Sequence, residues 1–96
     1  MALIVQKYGG TSVGSVARIR AVAEQVHALT QAGNRVAVVV SAMGDSTDRL
    51  IELARELCPD PDAREMDALL ATGEMVSTAL LAMALRRSGC AGPPAP

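Results

Sequence analysis

A-L-I-V-Q-K-Y-G-G-T-S-V-G-S, residues 2–15, decides how the rest of the chain must be read. Residues 2–6 form a short apolar run with β-branched Ile4 and Val5, and Gly9, Gly10 and Gly14 follow it. That order predicts a buried strand feeding a glycine loop. The period changes at Ser15. Val16, Ile19, Val22, Val26 and Leu29 recur at three- and four-residue steps, one face of a helix, and Gly33-Asn34 supplies its stop. Residues 36–40 (V-A-V-V-V) form a second, continuous apolar run, which predicts a strand covered on both faces as in a parallel sheet. Strand, helix and strand then make a right-handed parallel crossover.

Downstream the pattern is helical. Ser46 or Thr47 is expected to be the N-cap of a second helix, with Leu50, Leu53, Ala54 and Leu57 on its inner face. Residues 58–62 hold two prolines and two aspartates and read as a connector. From Arg64 a third helical run carries Met66, Leu69 and Leu70, is expected to break at Gly73, and resumes with Val76, Ala79, Leu80 and Met83. Residues 88–96 (S-G-C-A-G-P-P-A-P) carry no strand pattern. Two strands do not complete an α/β sheet, so this order reads as the opening part of a larger domain.

Composition narrows the function classes. The chain has 96 residues and is 50% hydrophobic, with no Phe, no Trp and one Tyr, so its core must be small and aliphatic. Nine basic residues face ten acidic ones, which gives no reason to expect nucleic acid or an anionic membrane as a partner. The longest unbroken apolar stretch, residues 79–85, is far below the ~18–20 residues of a membrane span. Residues 1–6 show no basic region ahead of an apolar one, so no secretory signal is expected. Cys58 and Cys90 lack CxxC spacing and suggest neither a disulfide framework nor a metal site. His27 stands mid-helix and reads as structural or solvated, and the methionines read as packing. A soluble, cytoplasmic protein is the expectation.

The chemistry concentrates in residues 7–15. Glycines between a strand and a helix let backbone amides approach an anion, and the helix N-terminus adds a favourable dipole. Thr11 and Ser12 offer hydroxyls, and Lys7, the only lysine beside eight arginines, offers a compact charge at the mouth of the loop. A Walker A loop would need Lys after Gly14, where Ser15 stands, and G-x-G-x-x-G is absent. Taken alone, these residues fit either a phosphate cradle or a glycine-rich turn beside a solvated lysine.

Residues 7–14 (K-Y-G-G-T-S-V-G) resemble the opening signature of aspartokinases, within the amino-acid kinase family. Residues 38–45 (V-V-V-S-A-M-G-D) resemble the family's second strand and loop. Arg64-Glu65-Met66-Asp67 and then Ala71-Thr72-Gly73-Glu74 resemble its later helical segment with a T-G-E turn. The three motifs stand in order over residues 2–89. The resemblance implies a three-layer α/β/α sandwich, of which this chain holds the β-α-β-α-α opening with an incomplete sheet. Residues 1–89 are then the N-terminal part of the kinase domain and residues 90–96 an atypical tail.

The resemblance also implies an activity, ATP-dependent phosphorylation of the L-aspartate side-chain carboxylate. This is the entry step to lysine, threonine and methionine. Lys7, Tyr8, Gly9 and Gly10 would line the ATP phosphate site, with Lys7 catalytic and Ser41 near the nucleotide. Thr47 would contact aspartate and Glu74 would hold its ammonium group. ATP would enter as a co-substrate with Mg²⁺, with no tightly bound cofactor and no protein metal site. From the residues alone, Ser41 and Thr47 could equally cap helices, and Glu74 could be a first-turn acid favoured by a helix dipole. Family members continue beyond this point, so the substrate site here is half a site. The isolated chain is therefore expected to be inactive, or to need a second copy or a partner chain to complete its sheet. A kinase acting on glutamate or carbamate shares the loop, but the S-A-M-G-D and T-G-E motifs point to aspartate.

Overall fold

Lys7 and Tyr8 do not leave the first strand, because each has a partner in the second. In a computed structural model of the chain, which describes residues 2–89, β1 (Leu3–Tyr8) runs parallel to β2 (Arg35–Val40). Leu3 lies opposite Arg35 and Tyr8 opposite Val40. Between them, α1 (Val16–Gln31) is the crossover; α2 (Ser46–Leu57) and α3 (Ala63–Arg87) follow. The expected β-α-β-α-α order holds, with a sheet of two strands among the described residues. The stretch read as a tail, residues 90–96, and with it Cys90, lies outside the described residues.

The helix α1 begins as its sequence demands. Ser15 has extended backbone and its Oγ accepts from the Arg18 N–H at 3.2 Å, the N-cap geometry. Gly33, with φ of 92°, turns the chain out of α1 in a conformation that side-chain-bearing residues rarely adopt. Ile19, Val22, Ala23 and Val26 are buried, as the three-and-four spacing requires, and with Val13 and Leu81 they form the core. α1 and α3 pack against each other and across β2, and α2 rests on α3.

Both helices therefore lie over one face of the sheet, the face of Val36, Val38 and Val40. Alternation sends Leu3, Val5, Lys7 and Val39 to the other side. Leu3 and Val5 are each 66% exposed there. The expectation that β2 is covered on both faces is thus corrected within the described residues. Apolar strand side chains promise a covering layer, and only one layer is present. Covering one such side chain would contribute about 1.5–3 kcal/mol.

Two further corrections concern the helices. α2 starts at Ser46 with Asp45 as N-cap residue, so Ser46 and Thr47 stand in the first turn rather than capping it. Its predicted inner face is real as a pattern but is not buried: Leu57 is 89% exposed, and no α2 residue is fully buried. α3 is continuous through Gly73 where a break was expected. A Cβ on Gly73 would lie 2.9 Å from the Ala42 Cβ. The glycine is there for close approach to the loop after β2, at a helix-propensity cost of roughly 1 kcal/mol. Among the described residues, α3 is the one helix long and apolar enough to cross a membrane by length and composition. It carries Gly73, Ser77 and Leu81 at four-residue spacing as a buried stripe packed into this fold.

The N-terminus of α3 gives a clean stability test. The Asp62 Oδ1 accepts from the backbone N–H of Arg64 at 2.9 Å and of Glu65 at 3.3 Å. Asp62→Ala should lose about 1 kcal/mol, a fall in melting temperature of roughly 4–8 °C by circular dichroism. An unchanged melt would mean that the cap contributes nothing to α3.

Candidate functional site

Parallel strands end on the same side, and the loops leaving their carboxyl ends meet there, the usual place for a ligand in an open α/β sheet. The loop after β1 is tightly wound. Ser12 N–H donates to the Gly9 carbonyl at 3.0 Å and Gly14 N–H to the Thr11 carbonyl at 3.3 Å. Val13, fully buried, pins its centre in the core. The loop after β2 lies directly against it. Ser41 N–H donates to the Tyr8 carbonyl at 3.0 Å, and Gly44 N–H donates to the Gly10 carbonyl at 3.0 Å.

This contact is backbone on backbone, which explains Gly10 better than loop flexibility does. A Cβ on Gly10 would sit 2.9 Å from the Ala42 carbonyl oxygen and 3.3 Å from that of Gly44. Gly44 itself has φ of 46°. On its far side Ala42, which is buried, meets Gly73 of α3. Ala42 is therefore wedged between the glycine loop and the helix that carries Glu74. Ala42 carries no mark of this role in its own local sequence. The one signal available was a glycine inside a helical period, which often marks close packing.

The predicted residues fall into place by segment. Lys7 is exposed on the sheet face opposite the helices, and among the described residues it makes no side-chain hydrogen bond or ion pair. Gly9 and Gly10 form the turn beside it, and Ser41 is partly buried in the adjoining loop. Thr47 stands in the first turn of α2, three residues after Gly44. Glu74 is exposed and lies inside α3, not in a first turn, so a dipole role for it is corrected. Glu74 follows Gly73, the α3 residue that meets Ala42 of the 41–44 loop. An open groove of about 300 Å³ lies between α2 and α3, lined by Ser46, Arg49, Thr72 and Gly73 among others.

Tyr8 behaves differently from its neighbours. Its hydroxyl donates to Oε1 of Gln6 on β1 at 2.8 Å and lies 3.2 Å from Oε1 of Gln25 on α1. Burial pushes its phenol above the ordinary 10.0. Gln25, 17 residues away on α1, had no signal in the sequence.

Chemically, the arrangement suits an anion. The first turn of α1 contains no acidic residue, so the positive end of its dipole is not offset there. The glycine loop and the N-terminus of α1 both follow the carboxyl end of β1, the strand that carries Lys7. Among the described residues, no group of three or more His, Cys, Asp or Glu could hold a metal ion.

The sequence model of the amino acid kinase family matches residues 2–95. Aspartokinases of Corynebacterium glutamicum, Mycobacterium tuberculosis and Geobacillus stearothermophilus are 60%, 57% and 58% identical to the chain over 89 residues, 93% of its length. Those residues are only 21–22% of each relative, so the chain spans about a fifth of the proteins it matches. The crystal structure of aspartate kinase from Synechocystis superposes with a TM-score of 0.88 at 59% identity, covering 90% of this chain and 15% of that one.

Proposed function

The chain belongs to the amino acid kinase family, and from that premise we propose that it supplies the phosphate-binding part of an ATP-dependent aspartate kinase. The observation that carries this reading is the joined pair of loops at the carboxyl edge of the sheet, where Gly44 N–H meets the Gly10 carbonyl at 3.0 Å. The Lys7–Gly10 segment and the Ser41 loop leave the carboxyl ends of two adjacent parallel strands, which supports this reading.

The nucleophile in this reading is the substrate's own side-chain carboxylate, ionised at neutral pH with a reference pKa of ~3.9. No general base is needed. A carboxylate oxygen attacks the γ-phosphorus, the bond to the β-γ bridging oxygen breaks, and ADP leaves with the electron pair. The difficulty is electrostatic, since an anion must approach a polyanion. Lys7 and the Mg²⁺ that accompanies ATP offset that repulsion, and the glycine-loop amides hold the phosphates in line. Ser41 stands near the nucleotide. Thr47 contacts the amino acid, and Glu74 pairs with its ammonium group.

The bare sheet face and the exposed α2 leucines support a second statement about the isolated chain. It binds phosphate but does not turn over unaided, because the residues that would close the amino-acid site lie outside it. Calorimetry with Mg-ATP on the folded chain, together with a hydroxylamine trap for acyl phosphate, tests both. We expect binding of Mg-ATP and no trapped 4-phosphoaspartate. A folded chain without affinity for Mg-ATP would sink the phosphate-site reading, and trapped product would sink the statement that the chain is incomplete. Glutamate phosphate in place of aspartate phosphate would favour another amino-acid kinase.

A further inference from the structure

We propose that Tyr8 is a positioning residue whose hydroxyl, engaged with Gln6 and Gln25, latches the end of β1 onto α1 and so fixes where the glycine loop begins. The argument starts from strand alternation. Lys7 and Tyr8 are adjacent, so they leave opposite faces of the sheet. Among the described residues Lys7 has no side-chain partner on the exposed face, while Tyr8 is held on the covered one. Whatever fixes the Tyr8 side chain fixes the twist of the last β1 residues, and with it the direction in which Lys7 projects.

The hydrogen bonds give the latch its form. A phenol has one proton, and Gln6 Oε1 at 2.8 Å takes it. The oxygen keeps acceptor capacity toward Gln25 at 3.2 Å. A half-turn of the Gln25 amide puts an N–H there, giving a chain from Gln25 N–H to the Tyr8 oxygen and from the Tyr8 proton to Gln6. Each group is then used in its own sense. The adjoining shallow groove is lined by Ser12 of the glycine loop and by Ala21, Val22 and Arg18 of α1; Arg18 is the one charged side chain lining it. So the same small volume touches β1, the loop and α1. The positioning half of this inference rests on the nucleotide reading above. The latch itself does not.

Tyr8 is the sole aromatic residue of the chain, so tyrosinate absorbance reports it without interference. The folded 96-residue chain should titrate at higher pH than the same chain in concentrated guanidinium. Gln25→Leu, a change on the exposed side of α1, should raise the folded midpoint further, because the tyrosinate loses the N–H donated to its oxygen. A midpoint that Gln25→Leu leaves in place would overturn the latch. For the positioning role, Tyr8→Phe and Gln25→Leu should each weaken Mg-ATP binding about three- to tenfold, while Lys7→Ala leaves the Tyr8 titration unchanged. Full Mg-ATP affinity in Tyr8→Phe would overturn the positioning role with the phosphate site intact. Absence of Mg-ATP binding in every form, with a normal titration, would instead overturn the nucleotide reading and the positioning role that depends on it, and the latch would stand.

Discussion

Lys7→Ala should lower the affinity of the folded chain for Mg-ATP at least tenfold while leaving its melting temperature within about 4 °C of wild type. The two halves of that expectation come from different observations. Lys7 is exposed on the uncovered sheet face and holds no side-chain partner among the described residues, so its removal costs the fold little, within about 0.5 kcal/mol. A charge-assisted contact to phosphate contributes roughly 1.5–3 kcal/mol, which is a loss of tenfold to somewhat over a hundredfold. Arg35 is the control that separates a site from general attraction. It lies on the same sheet face, four residues before the Lys7 partner Val39, hence about 13 Å along the strand. That exceeds the ~8 Å screening length at physiological salt. Arg35→Ala should therefore leave Mg-ATP affinity unchanged. Equal losses in the two variants would show that any nearby cation serves, and the phosphate-site assignment would fail. Lys7→Arg should restore only part of the loss, since a planar fork does not reproduce a point charge.

The parts of this fold that were legible in the sequence are those set by local period. Ile19, Val22 and Val26 announce the buried side of α1, and Ser15 announces its start, because each acts within a few residues of itself. The strands were legible as apolar runs, but the end of β1 was not. Lys7 and Tyr8 belong to it through Val39 and Val40, partners more than thirty residues away. Gly73 misled for the same reason. A glycine in a helical run reads as a break until the Ala42 Cβ is known to press against it. The α2 leucines show the opposite failure: Leu50, Leu53 and Leu57 make a proper helical face, yet a period cannot say whether anything covers it. Within the site, the glycine loop could be read directly, but the opposite facing of Lys7 and Tyr8 could not, because it follows only once both are known to belong to β1. The Gln25 contact and the Ala42 wedge could not, because both join segments that only the fold brings together.

That wedge makes Gly73→Ala the second large expected effect: a melting temperature roughly 5–10 °C lower, restored in most part by Ala42→Gly in the double variant. Helix propensity alone predicts the reverse, since alanine gains about 1 kcal/mol over glycine inside a helix such as α3. The new Cβ, however, would stand 2.9 Å from the Ala42 Cβ, a contact that real atoms do not tolerate. Ala42 has no flexible end to swing aside, because its Cβ is bonded to the backbone. Nor can its backbone retreat freely, as the place of a Cβ on Gly10 lies only 2.9 Å from the Ala42 carbonyl oxygen. Overpacking of about 2–3 kcal/mol therefore outweighs the propensity gain, and α3 must move instead. Deleting the opposing methyl removes the clash, so the two substitutions should couple by more than about 1 kcal/mol in a double-mutant cycle. A Gly73→Ala chain that melts higher than wild type would mean that α3 stands away from the 41–44 loop. Gly73 would then lose its close approach to Ala42, and with it the reason for a glycine inside α3.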